Sequence, residues 1–288
     1  MISWPDELVD AIARRRCVVF FGSGVSRNSV NGDGERPCTW QEFLEKAAET
    51  AGYSEGIRKY LDVCDYLTAC EVLKRRLGVN RFSRLVLNEF QQKGFSPAPI
   101  HEHIYNLDCS VVATPNFDNI YEQYASGVSC GTVVVKDHTS NDLVNYIGGG
   151  DYRVVIKTHG QASNPNDIIF SRSDYAKART ENRFFYELLK SLALTHTFLF
   201  VGCGLDDPDI RTLFEDIQFA HGYMPHHYMT IPDEEADSDL LDIAKESMML
   251  EFLVYASEGG HVALTKSLEE LVETVVAVRE GISENQKW

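Results

Sequence analysis

The chain has 288 residues with 27 basic against 43 acidic side chains, a formal charge of −16, and 44% hydrophobic and 11% aromatic content. That is enough apolar material for a sizeable core, at the upper end of a single domain or of one core domain carrying a helical insertion. So acidic a surface repels a phosphate backbone, and the short run Arg14-Arg15-Arg16 does not reverse it; direct nucleic-acid binding is not expected, whereas a small phosphate-bearing ligand held by backbone N–H groups is compatible. No apolar run approaches a bilayer span, and MISWPDELVDAIARRR has no signal-peptide core. The seven cysteines are scattered without a CxxC pair, which reads as reduced thiols in a cytoplasmic protein with no metal expected.

In chain order, an amphipathic helix around Pro5–Arg15 leads into CVVFF (17–21), a buried strand, and then directly into GSGVS. Thr39 is placed to cap a helix over TWQEFLEKAAE, with Trp40, Phe43, Leu44 and Ala47 on one face. Two or three further helical segments fill 56–93. Beyond them the pattern changes to short apolar runs: SVVAT (110–114), TVVV (132–135), RVVIKT (153–158), HTFLFVG (196–202) and FLVY (252–255). Such runs, with helical patterns between many of them, are what parallel strands buried on both faces look like. The predicted fold class is α/β: a Rossmann-like, doubly wound, mostly parallel sheet with a helical insertion, about 36–100, after the first strand. The tail GISENQKW reads as loosely ordered.

In an open α/β sheet, ligands sit at the carboxyl ends of strands, and four such ends carry unusual residues here. After the first strand, Gly22 and Gly24 leave room for a pyrophosphate, with Ser23 and Ser26 as hydroxyl donors and Arg27 as a charged one. Alone this turn lacks the third glycine of GxGxxG and reads first as a tight turn followed by the loop NSVNGDGERP. Next comes Thr114-Pro115-Asn116-Phe117-Asp118, where Asn116 supplies both donor and acceptor and Asp118 is also suited to starting the next helix. Lys157-Thr158-His159-Gly160 places a histidine at a strand end, where it suits a general base or, more plainly, a hydrogen-bonded loop. In Gly202-Cys203-Gly204-Leu205-Asp206-Asp207-Pro208, Asp207 and Pro208 make a sound helix start, and the two glycines invite close approach by a ligand. His101, His103, His226 and His227 have no comparable setting.

Together, a strand into GSGVS, then TPNFD, then KTHG, then FVGCGLDDPDI resembles the sirtuin superfamily, and more closely the sirtuin-like domains of bacterial anti-phage defence systems, whose likeness extends to CTWQEFL and IIFSRSDYAKA. The resemblance covers about 17–275 and implies one sirtuin-like domain over 1–288, with its Rossmann-like core at about 15–30 and 105–280. It implies an NAD pocket between the sheet and the insertion. Gly22, Ser23, Gly24 and Ser26 would hold the phosphates, Gly202 and Gly204 would border the adenosine ribose, and Arg27, Thr114 and Asp206 would complete the binding set. Asn116 and Asp118 would hold the nicotinamide ribose and an attacking water, with His159 as base. The expected activity is NAD+ hydrolysis to nicotinamide and ADP-ribose by a defence effector, with NAD as substrate. The alternatives are a non-catalytic NAD- or ADP-ribose-binding subunit and an NAD-dependent deacylase. Deacylases of the superfamily resemble one another in a four-cysteine zinc ribbon and a GIPDFR-like stretch; this chain has no CxxC and reads Asn28-Ser29-Val30-Asn31 at the latter place. A free NADase would harm its own cell, so the resemblance further implies gating by a homo-oligomer or by a partner such as a HerA-like ATPase or an Argonaute.

Overall fold

Residue-by-residue alternation along the strands decides the architecture. In the computed structural model, which describes residues 1–147, 152–204, 208–221 and 225–285, Cys17, Val19 and Phe21 of the first strand enter one apolar cluster while Val18 and Phe20 enter another. Val112 and Val155 join the first cluster; Val111, Ala113, Val154 and Ile156 join the second. A strand buried on both faces needs helices on both faces, and that is what forms. One layer is built from Asp6–Ala13, Pro99–Asn106, Ile120–Val128 and Val262–Glu284. The other draws on Arg183–Thr195 and on Phe214 and Ile217.

The strands are β1 (Cys17–Phe21), β2 (Val111–Thr114), β3 (Val133–Asp137), β4 (Arg153–Lys157), β5 (Thr197–Val201), β6 (His227–Pro232) and β7 (Leu250–Tyr255). They lie in the order β3-β4-β2-β1-β5-β6-β7, and each of the ladders is parallel. β1 sits mid-sheet between β2 and β5, so the chain winds outward to one side of it and then to the other. That reversal opens a crevice above the carboxyl ends of β1, β2 and β5, where α/β sheets bind ligands.

Between β1 and β2 the helices Trp40–Thr50, Ser54–Leu61, Tyr66–Leu77 and Val79–Phe90 gather their own apolar centre from Phe43, Leu44, Ile57, Leu73, Phe82 and Val86. Thr39 starts the first of them with a capping box: its hydroxyl accepts from Glu42 N, and Glu42 accepts from Thr39 N, an arrangement that contributes about 1 kcal/mol. Ala162, Ile168 and Phe170, from the segment after β4, join this centre.

Three expectations change. GSGVS holds a single helical turn, Ser23–Ser26, before the loop begins. β6 is a strand that alternation did not announce: HYMTIP is polar at Thr230, yet it is buried throughout, and the Thr230 hydroxyl donates to Phe200 O at 3.2 Å. The tail is ordered farther than its composition suggests. The last helix reaches Glu284 because Ile282 is buried against the sheet-covering layer.

Candidate active site

The two glycine turns are shaped by each other. A Cβ on Gly22 would lie 2.6 Å from Gly202 O, one on Gly24 2.9 Å from Gly202 Cα, and one on Gly202 2.8 Å from Val25 N. Gly202 also has φ +59°, a left-handed conformation that side chains disfavour. Gly22 N donates to Val201 O and Gly24 N to Gly202 O, both at 3.0 Å. Backbone meets backbone here, so all three glycines have a packing reason, and the N–H groups of Gly22 and Gly24 are engaged within the protein.

Asn116 is the centre of a buried relay. Its Nδ2 donates to Gly22 O and to Ser26 Oγ, each at 2.9 Å. Ser26 Oγ donates to Asp118 Oδ2 at 2.8 Å, and Asp118 Oδ1 accepts from Ile120 N at 3.1 Å. The amide spends both hydrogens on the protein, which fixes its orientation and turns Oδ1 into the acceptor it has left to offer. Thr114 supports the turn from below, with its hydroxyl accepting from Asn116 N at 3.1 Å. Asp118 therefore lies just before the helix Ile120–Val128, holds its first N–H with one oxygen and, with the other, anchors the relay.

His159 lies at the end of β4 on the cavity wall. Its backbone carbonyl accepts from Ile169 N at 3.0 Å, and Gly160 follows at φ +83°, where an added Cβ would meet Asp167 O at 3.0 Å. Tyr175 stands edge-on to the imidazole with ring centroids 5.1 Å apart, its hydroxyl 3.5 Å from Nδ1. His138, at the end of β3, is buried beside this pair; burial holds its imidazole below the usual range, Asp137 opposes that shift, and the charge of His159 adds to it.

These elements enclose a cavity of about 530 Å³, within the range that takes drug-sized ligands and cofactors. Of the residues expected at the site, Gly22, Ser23, Ser26, Asn116, Asp118, His159, Gly202 and Gly204 line it. Gly24 sits behind the lining against Gly202, and Thr114 lies beneath Asn116. Arg27 turns towards the insertion, where Nη1 donates to Pro37 O at 3.0 Å and pairs with Glu42 at 2.5 Å. Asp206 lies outside the described residues.

The lining also has members that strand-end reasoning missed. Trp40 and Tyr66 come from the insertion, with Trp40 stacked on Phe170 at 5.4 Å and beside Tyr66 at 5.5 Å. Tyr175 comes from the helix Arg172–Glu181, which a capping box between Ser171 and Asp174 starts. At the opposite end Phe200, Phe214, Met229 and Met248 form an apolar floor. A polar relay at mid-length and apolar surfaces at each end suit an elongated ligand with two rings.

Fold and site together define a Rossmann-like α/β domain with a cavity at the topological switch point. Residues 110–253, half of the chain, match the SIR2-like domain family, and the chain belongs to that family. Among curated proteins it is similar to NAD(+) hydrolase ThsA of Enterococcus faecium, 25% identical over 225 residues that cover 76% of this chain and 44% of that protein. ThsA of Acinetobacter baumannii is 26% identical over 225 residues, covering 75% of this chain and 43% of that protein. Defense-associated sirtuin 2 of Bacillus subtilis is 23% identical over 212 residues, covering 72% of this chain and 20% of that protein. The chain thus spans less than half the length of these relatives.

Proposed function

We propose that this chain hydrolyses NAD+ at the bond between nicotinamide and ribose, releasing nicotinamide and ADP-ribose. The observation that carries the reading is the Asn116–Ser26–Asp118 relay, which lines the same switch-point cavity as His159 in a SIR2-like domain. The similarity to proteins named NAD(+) hydrolase supports the same substrate.

In this reading the nicotinamide ribose lies over Asn116 and His159. The aromatic wall of Trp40, Tyr66 and Phe170 flanks the nicotinamide end, and the floor around Met229 receives the adenosine end. Cleavage of the C–N bond sends its electron pair out with nicotinamide and leaves positive charge on the anomeric carbon. Asn116 Oδ1, held still by the two bonds from Nδ2, accepts a hydrogen bond from the attacking water. The water oxygen bonds to the anomeric carbon, and His159 takes the proton. Because the relay is already made, little reorganisation is left for the moment of reaction. Asp118 works through Ser26 by holding the amide; Ser23, exposed in the turn, is the hydroxyl left to meet a phosphate.

The same reading makes the protein an effector of anti-phage defence, with its activity gated by self-association or by a second protein of the HerA-like ATPase or Argonaute kind. The test is chromatography of NAD+, nicotinamide and ADP-ribose after incubation with purified protein, alone and with the products of neighbouring genes. Equimolar nicotinamide and ADP-ribose are expected. NAD+ that raises the melting temperature yet stays intact under every condition would instead identify a non-catalytic binding subunit.

A further inference from the structure

Lys157 occupies a place where a lysine is costly. Along β4, Val154 and Ile156 face one apolar cluster and Val155 the other, so alternation puts residue 157 on the Val155 side, against the helix Ile120–Val128. Its side chain is 1% exposed. Two groups compensate the buried charge: Glu122 Oε1 on that helix at 2.6 Å, and the backbone carbonyl of Asp118, which accepts from Nζ at 2.5 Å. An apolar pair of similar volume serves stability as well as a buried ion pair does, so the charge calls for another reason.

That reason lies in what the carbonyl belongs to. The 116–118 turn is gripped by Asn116 Nδ2 on Gly22 O, by Ser26 Oγ on Asp118 Oδ2, and by Lys157 Nζ on Asp118 O. The first two grips tie the turn to β1 and the helical turn that follows it. The third ties it to β4, two residues before His159, and Thr158 N adds a bond to Thr114 O at 2.9 Å. Nearby, His101 is fully buried; its Nδ1 accepts from Ala98 N at 3.1 Å, and Asp118 and Glu122 are the acidic groups facing this side of the turn. Burial raises the Glu122 carboxyl and the Lys157 charge opposes that shift.

We propose that Lys157, neutralised by Glu122, is a positioning residue that clamps the Asn116 turn to the strand carrying His159, so that amide and imidazole face one ribose. The proposal rests on the hydrolase reading above. Glu122 has a second effect in it: with the pair neutral, no unbalanced cation sits beneath the carbon on which positive charge develops.

Three variants test it: Lys157→Met, Lys157→Arg and the double variant Lys157→Met/Glu122→Leu, each assayed well below its own melting temperature. Lys157→Met strands a buried carboxylate and is expected to melt lower. The double variant removes both charges and should regain most of that melting temperature while kcat stays at least 10-fold below wild type and KM stays within threefold. Lys157→Arg, which keeps charge and donors, should retain more kcat than the double variant. A double variant with wild-type kcat overturns the proposal and leaves the pair a packing feature. A wild-type protein that never cleaves NAD+ overturns the hydrolase reading itself, a separate and recognisable result.

Discussion

Alanine at Gly202 asks whether the two glycine turns are held by contact with each other. The residue has φ +59°, and a Cβ there would lie 2.8 Å from Val25 N, 3.0 Å from Gly24 C and 3.1 Å from Gly24 Cα. All three neighbours are backbone, so no side chain can swing aside. The left-handed conformation alone costs an alanine about 1 kcal/mol, and separating the turns strains the 3.0 Å bond from Gly24 N to Gly202 O, which contributes about 1 kcal/mol more. Gly202→Ala is therefore expected to destabilise by about 2–3 kcal/mol, or roughly 3–5 °C in Tm for a chain of this size. Gly281 supplies the control. It lies in the helix Val262–Glu284 with open space where an alanine methyl group would stand, so Gly281→Ala should stabilise by about 0.5–1 kcal/mol. Urea unfolding of both variants reads the two signs. A Gly202→Ala protein as stable as wild type would refute the reasoning, because the turns would then have room to part.

Further expectations concern pH and the cavity wall. Burial depresses the His227 imidazole to about 3, with Nδ1 accepting from Phe198 N at 3.0 Å. Its folded value lies below the unfolded value of about 6.5, so the unfolded chain takes up the proton first. The stability is whole above about pH 6.5, is lost as pH falls towards 3, and is down by about 2 kcal/mol at pH 5. His227→Gln should flatten this slope between pH 7 and 5 in urea titrations, and an unchanged slope would contradict the assignment. Tyr175→Phe removes the hydroxyl 3.5 Å from His159 Nδ1 but keeps the ring contact; kcat should fall about 10-fold with Tm unchanged. Trp40 lines the cavity, so NAD+ should quench intrinsic fluorescence in the wild type, and Trp40→Phe should abolish most of that signal while Trp4→Phe leaves it.

The strands and the polar residues at their ends were legible for a common reason, whereas the bonds that join Asn116, Ser26 and Asp118 were not, because Ser26 reads along the chain as a phosphate donor. β1, β2, β4 and β5 each carry an uninterrupted apolar run that ends in polar or glycine residues, and those ends gather because the sheet is parallel and the strand ends are level. β6 escaped because it lies between histidines and a proline and its polar Thr230 is satisfied by a neighbouring strand, a contact invisible along the chain. Gly22 and Gly202 were noticed as glycines, but their mutual contact joins residues 180 positions apart, and no local pattern encodes it. Tyr175 and Trp40 were hidden for a related reason: each comes from a helix whose periodicity reports a buried face without saying what that face meets. Lys157 stood in plain view inside KTHG, yet its partner Glu122 lies on the helix Ile120–Val128, far away along the chain.

The central claim is that Asn116 and His159 act on NAD+ bound in this cavity. Its most direct test follows binding and turnover together in Asn116→Ala and His159→Ala, under the conditions in which the wild type consumes NAD+. NAD+ is expected to raise the melting temperature of both folded variants while nicotinamide release falls at least 100-fold, in keeping with loss of a general base or of a fixed water. Nicotinamide release at the wild-type rate from either variant would contradict the account.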